Sequence, residues 1–195
     1  MLPKSHFNAA YYQRYYETPA TAVVDASLQR DEVRFVISFC RLIELEVKRF
    51  ADVGAGTGWW AREFAKQYRR SPVIETFDAS PDACDLYGHR NIPVQNLTGA
   101  ACDLVVCRDV LRYLSDAHID RAIARLLKKS RGVLYLHVIT SDDVIDEDAS
   151  DMAGVFRTTA FYRRRLKEAG FRDCGMGLFA SPRLKKFTPF ALEAR

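Results

Sequence analysis

Short apolar runs alternate with amphipathic stretches along this 195-residue chain, the rhythm expected when buried strands of a parallel sheet are joined by helices. Val73-Ile74-Glu75-Thr76-Phe77, Asp103-Leu104-Val105-Val106-Cys107 and the run from Val133 to Ile139 read as buried strands, rich in β-branched and aromatic residues. Between them apolar positions recur at helical spacing. One long helical pattern ends near Arg49, a second begins with Trp59, Ala61, Phe64 and Ala65, and a third carries Ile119, Ala122, Ile123, Leu126 and Leu127. Ser80-Pro81 supplies the cap and first turn of another helix, which Gly88 stops. Thr158 or Thr159 caps a last helix ending at Gly170. Two final strands, about 171–179 and 186–192, are joined by a loop containing Pro182 and are expected to pair antiparallel. The layered α/β class follows.

Length and composition set the scale. At 195 residues and 48% hydrophobic, the chain can bury one full α/β core. It has no 18-residue apolar run, and Met1-Leu2-Pro3-Lys4-Ser5-His6 lacks a signal-peptide core, so a cytoplasmic protein without a membrane partner is expected. Five cysteines, at 40, 84, 102, 107 and 174, lack Cys-x-x-Cys spacing and read as free thiols, with no metal site. Cys102 and Cys107 should point to opposite faces of their strand. The net charge of +4 is mild. Its two basic runs, Arg121 to Arg131 and Arg163-Arg164-Arg165 with Lys167, read as solvent faces of amphipathic helices, Lys128 and Lys129 included, rather than as a nucleic-acid surface.

Residues 51–60 carry the chemistry: Ala-Asp-Val-Gly-Ala-Gly-Thr-Gly-Trp-Trp. Glycines at 54, 56 and 58 suit a loop that a ligand approaches closely, although a plain strand-to-helix turn would also use them. Asp52 just before the loop suits an α-amino group and would repel a pyrophosphate. The dinucleotide fingerprint needs Gly-x-Gly-x-x-Gly, whereas this chain has Gly-x-Gly-x-Gly after an acid. The spacing favours S-adenosylmethionine. Asp78 lies 20 residues past Gly58 at the tip of the next strand, placed to accept hydrogen bonds from both ribose hydroxyls.

With these residues the chain resembles class I S-adenosylmethionine-dependent methyltransferases over roughly residues 30 to 195. The resemblance implies a three-layer sandwich around a mostly parallel seven-stranded sheet with an antiparallel last strand. It maps the glycine motif onto Asp52, Gly54, Ala55, Gly56 and Gly58, and the ribose-binding acid onto Asp78 with Ala79 beside it. Asn96-Leu97, after a third strand at Ile92-Pro93-Val94-Gln95, takes the place of the residue near the adenine amino group, where aspartate is more usual. Arg108-Asp109-Val110-Leu111-Arg112-Tyr113-Leu114 resembles the segment beneath the cofactor, with Arg112-Tyr113 where the family often has histidine. N-terminal segments in the family often fold over the cofactor. Residues 1–30 are accordingly read as an aromatic lid, with Tyr12, Arg14 and Tyr16 at the cofactor and Arg14 meeting the methionine carboxylate, ahead of a binding domain over 31–195.

Three segments are candidates for the acceptor pocket: Phe7 to Tyr16, the turn around Tyr113, and Thr140 to Arg157. The acids of the last, including Asp142, Asp143 and Asp151, read as a solvated loop or as a seat for a cationic acceptor. A sulfonium donor makes a general base optional. His137, Tyr113 and Asp109 are the candidates for catalysis. The expected activity is methyl transfer to a small molecule or short peptide. An oxidoreductase, an RNA methyltransferase and a non-catalytic cofactor-binding regulatory or partner-binding module remain alternatives.

Overall fold

A computed structural model of the chain describes residues 6–17, 26–147 and 150–187. Its helices are α1 (Ala9–Tyr12), α2 (Ala26–Leu42), α3 (Trp59–Gln67), α4 (Pro81–Tyr87), α5 (Asp116–Lys129) and α6 (Thr159–Glu168). Its strands are β1 (Arg49–Val53), β2 (Val73–Asp78), β3 (Arg90–Asn91), β4 (Cys102–Arg108), β5 (Ser130–His137), β6 (Arg172–Asp173) and β7 (Leu178–Ala180).

The strands form one seven-stranded sheet in the order β3-β2-β1-β4-β5-β7-β6. The first five pair in parallel, and β7 runs antiparallel to both β5 and β6. Alternate side chains feed two cores. Ala51, Val53, Val105, Cys107 and Leu134 face α5 and α6 through Ile119, Ile123, Leu126 and Leu166. Phe50, Leu104, Val106 and Val133 face α2 and α3 through Val36, Cys40, Trp60 and Phe64. Two apolar faces require cover on both sides, which makes three layers. The chain order reverses between β1 and β4, and a crevice opens beyond the carboxyl ends of strands at such a point.

Local chemistry explains the element boundaries. Ser80 Oγ caps α4 by accepting from Ala83 N at 3.1 Å, and Gly88 ends it at φ 75°. Thr158 caps α6, its hydroxyl accepting from Phe161 N at 3.2 Å.

Several expectations are corrected. The long upstream helix stops at Leu42, not near Arg49, because Glu44 takes φ 57° and residues 49–53 carry β1. The lid boundary at 30/31 falls inside α2. The third strand is Arg90–Asn91, since Pro93 cannot donate to a ladder and opens a 3₁₀ turn at Val94–Asn96. Both closing strands lie within 172–180, turned by Gly175 and Gly177 at positive φ. Lys186 and Phe187 are not in a strand, and the remainder of the expected 186–192 strand lies outside the described residues. Lys129 is not on a solvent face: its Nζ is buried, 2.9 Å from Glu75 Oε2 and 4.8 Å from the Phe77 ring centroid.

Cys102 and Cys107 pack in the same core, contrary to simple alternation. The ladder is irregular beside Cys102: from Cys102↔Ser130 to Leu104↔Val133 the pairing advances two residues in β4 and three in β5, a bulge in β5. Gly132 lies within this bulge. A Cβ there would lie 2.2 Å from the Asp103 carbonyl oxygen, so β4 and β5 touch backbone to backbone. Gly132→Ala should therefore destabilise the fold by about 3 kcal/mol, the upper range of overpacking costs. Urea unfolding measures it, and a loss below about 0.5 kcal/mol, typical of surface substitutions, would contradict the close approach.

Candidate functional site

The cavity beyond the carboxyl ends of β1, β2 and β4 has a volume of about 510 Å³. Its floor is the glycine loop. Gly54 N and Ala55 N both donate to Phe77 O, at 2.8 and 3.0 Å, binding the loop to the end of β2. Gly54, at φ 75°, leaves no room for a side chain, because a Cβ would sit 2.0 Å from Val110 Cγ2. Gly58, at φ 72°, starts α3. Gly54 and Gly56 line the cavity, while Ala55 and Gly58 stand behind it.

Asp78 lies at the tip of β2 and faces this cavity. Its Oδ2 accepts from Gly56 N at 2.9 Å and its Oδ1 from Ser80 N at 2.8 Å. Each oxygen keeps a lone pair for a ligand hydroxyl. Burial raises its pKa above the ordinary carboxylate value, with those amide donors and His89 opposing.

Asp52 is 2% exposed and does not line the cavity. Burial, reinforced by Asp78, pushes its pKa up to about 7. Its Oδ2 has no hydrogen-bond partner. A carboxylate in that state suits an arriving cation.

The remaining expected cofactor residues divide. Ala79, Asn96, Arg108, Asp109, Tyr12 and Tyr16 all line the cavity. Leu97 is packed in the core beside Val94. Asn96 is exposed and its amide oxygen accepts from Arg121 Nη2 at 2.9 Å. Arg14 is exposed, its guanidinium 5.1 Å over the Tyr15 ring, and it does not line the cavity.

The two catalytic candidates separate as well. Tyr113 lines the cavity and its hydroxyl meets Tyr11 (3.1 Å), Arg112 Nη2 (3.0 Å) and Asp151 Oδ2 (3.0 Å). His137 lines a different cavity, of about 420 Å³, between the end of β5 and α6. Its Nδ1 stands 3.4 Å from Asp109 Oδ1. Burial works against charge on Asp109, but His137, Arg108 and Arg112 outweigh it and hold that carboxyl below its ordinary range.

Residues 6–17 form part of the cavity wall. Phe7, Tyr11, Tyr12 and Tyr16 contribute to its lining, and Tyr12 is buried. Ser80 Oγ donates to Phe7 O at 2.6 Å, and His6 Nε2 lies 2.9 Å from Asp151 Oδ2.

Three residues not among the expected site residues shape the site. His89 Nε2 donates to Gly56 O and its Nδ1 faces Thr76 Oγ1, both at 2.9 Å, fixing the loop from beneath. Ile92 and Val94 give the cavity an apolar wall. Their place between Asp78 and Asn96 was the signal for the wall, whereas nothing in the local sequence marks His89. The acids of 140–157 serve as loop ties. Asp143 accepts from Thr140 N, Asp142 from Thr159 N, and Asp151 from Ala153 N and Tyr113.

Among the described residues no cluster of His, Cys, Asp or Glu is arranged to hold a metal, and no helix is long and apolar enough to cross a membrane. All five cysteines are free.

Comparison with known proteins agrees with this geometry. A family profile described as a methyltransferase domain matches residues 26–192. The chain is 33% identical over 85 residues to malonyl-[acyl-carrier protein] O-methyltransferase of Gallionella capsiferriformans, an alignment spanning 44% of this chain and 29% of that protein. Among solved structures it is similar to magnesium protoporphyrin IX methyltransferase of Synechocystis PCC 6803, solved with bound SAM. That match has a TM-score of 0.67 and 15% identity, and covers 93% of this chain and 98% of the other. A sugar N-methyltransferase of Streptoalloteichus sp. gives a TM-score of 0.63 at 16% identity, covering 87% and 91%.

Proposed function

Because the chain belongs to the methyltransferase domain family, we propose that it transfers a methyl group from S-adenosylmethionine to a small molecule or short peptide. The observation that carries this reading is one cavity with Gly54 pressed on Val110 below, Asp78 at its side and a tyrosine-rich segment above. The residues present fit the cofactor. Asp78 would take the ribose hydroxyls through its unused lone pairs, and Ile92 and Val94 would flank the adenine. Asp52 Oδ2, buried without a partner, suits the ammonium end.

Bound S-adenosylmethionine supplies an activated methyl group on a sulfonium. The chain's own part is to hold the acceptor in line and exclude water. Phe7, Tyr11 and Tyr16 exclude water from above, and Tyr113 presents a hydroxyl from the turn after β4. Burial keeps the Tyr113 hydroxyl protonated well above the ordinary tyrosine range, so it acts as a hydrogen-bond donor.

A small acceptor is supported over RNA by the fate of the basic runs. Lys129 is consumed by Glu75, while Arg163, Arg164 and Arg165 pair with Asp173, Glu168 and Asp120. The names of the relatives are consistent with acceptors of this class.

S-adenosylhomocysteine should raise the melting temperature, and nicotinamide dinucleotides should not, because only a ligand of the folded state stabilises it. The reverse pattern in thermal shift would discard the reading. Asp78→Asn should weaken S-adenosylhomocysteine binding by about 30-fold, on the order of 2 kcal/mol for charge-assisted hydrogen bonds. Asparagine is chosen because it keeps one of the two acceptors that serve Gly56 N and Ser80 N, whereas alanine would strip both. Unchanged affinity by calorimetry would place Asp78 outside the ligand contacts.

A further inference from the structure

Methyl transfer as proposed leaves one buried cation without a task. Arg112, 2% exposed, sits in the turn after β4. Its Nη2 donates to the Asp151 carbonyl and to the Tyr113 hydroxyl, and its plane lies 4.7 and 5.0 Å from the ring centroids of Tyr113 and Phe156. Its Nε and Nη1 are buried with no acceptor. A guanidinium cannot shed its charge, and unmet buried donors are costly. The neighbouring acids are committed elsewhere. Asp151 Oδ2 faces His6 and the Tyr113 hydroxyl, its Oδ1 takes Ala153 N, and Asp109 faces His137 and Arg108.

Arg112 lines a cleft of about 30 Å³, room for about one water, together with Tyr11, Tyr15, Tyr16, Tyr113 and the carboxylates Asp109 and Asp151. Tyr11, Tyr16, Asp109 and Tyr113 line both this cleft and the main cavity, so the two spaces share a wall. Three of the cleft's tyrosines come from residues 6–17, so seating anything larger than a water requires that segment to shift.

We propose that the acceptor is a carboxylic acid whose carboxylate is seated on the free donors of Arg112 and is itself the group methylated. This rests on the methyl-transfer reading above. One carboxylate oxygen gives an electron pair to the methyl carbon, forming the carbon–oxygen bond of a methyl ester. The carbon–sulfur bond breaks with its pair left on sulfur, and no proton moves. That balance suits a cleft whose tyrosines stay protonated: burial raises the Tyr11 and Tyr113 hydroxyls above the ordinary range, the Tyr113 hydroxyl donates to Asp151 Oδ2, and His137 faces another cavity. A carboxylate arrives already ionised at neutral pH and needs no base.

The test uses the full chain saturated with S-adenosylhomocysteine, titrated calorimetrically with benzoate, phenylacetate and hexanoate and with the three matching primary amides. The acids should bind at least 10-fold tighter than their amides. Arg112→Gln should reduce that preference to within twofold while S-adenosylhomocysteine affinity stays within twofold of the parent. If this variant does not fold, the acid-to-amide ratio of the parent decides alone. With tritiated-methyl S-adenosylmethionine and a pool of carboxylic acids, the transferred label should return as methanol after mild alkali. Acids that bind no better than amides, or label that resists alkali, overturn the proposal. Failure of S-adenosylhomocysteine to bind at all would instead remove the methyl-transfer reading beneath it.

Discussion

Replacing Asp52 with asparagine should flatten the pH dependence of stability in the ligand-free protein. Burial raises the Asp52 carboxyl from 3.8 to about 7, so the folded chain holds a proton that the unfolded chain has released. Stability from this group is full below about pH 4 and is lost as pH rises through 7. Three units of displacement correspond to about 4 kcal/mol. Asparagine keeps an acceptor for the Ala61 amide but never ionises. The stability of Asp52→Asn relative to the parent should therefore improve by about 4 kcal/mol between pH 4 and pH 8, read from urea unfolding at both. Parallel pH profiles would show that Asp52 is charge-compensated in the free protein. If the group receives the ligand's ammonium, S-adenosylhomocysteine should also stabilise the parent more than the variant at pH 8.

Removal of residues 1–16 should abolish methyl transfer and weaken cofactor binding while leaving a cooperative fold. Phe7, Tyr11, Tyr12 and Tyr16 form the cover of the cavity, yet the sheet and both cores are built from residues beyond 30. Without the cover, water enters and the acceptor loses one wall. Loss of Tyr12 packing also lowers the melting temperature, so affinity is measured well below it. A truncated chain that binds S-adenosylhomocysteine as the parent does would reduce the segment to packing. In the intact protein, S-adenosylhomocysteine should protect the exposed Arg14 from trypsin, and equal cutting with and without it would count against the cover.

What the sequence could show follows from how local each feature is. β2, β4 and β5 are legible because each is a short apolar run. The α4 ends are legible because Ser80, Pro81 and Gly88 act on their own neighbours. The glycine loop and Asp78 were found because backbone conformation and strand-tip position are local properties, and both line one cavity. Features set by distant contacts were not legible. Lys129 follows the amphipathic pattern of an exposed residue, but Glu75, on a strand 54 residues away, draws it inward. The β5 bulge, where Gly132 lies close to the Asp103 backbone, is not marked in the local sequence, and no alternation pattern in β4 reveals that Cys102 shares a core with Cys107. His137 belongs to the right strand, but its side chain serves another cavity, which only the assembled sheet determines. Arg112 is marked in the sequence only as a departure, with Tyr113, from the histidine frequent in the family. Its burial arises from Asp151, Gly154 and Phe156 closing over it from about forty residues downstream.

The placement of β4 also fixes the order in which the molecule comes apart. Paired on both edges by β1 and β5 and buried at every position except its last, it should show amide hydrogen exchange only through global opening. Residues 6–17 are held by a short turn, ring contacts and a few hydrogen bonds, and should exchange through local detachment at much lower free energy. The glycine loop hangs from β1 and the Asp109 turn from β4, so both belong to the slowest-opening unit. If residues 6–17 lift as a cover, the floor of the site should persist through many such cycles, and ligand exchange should not require the protein to unfold.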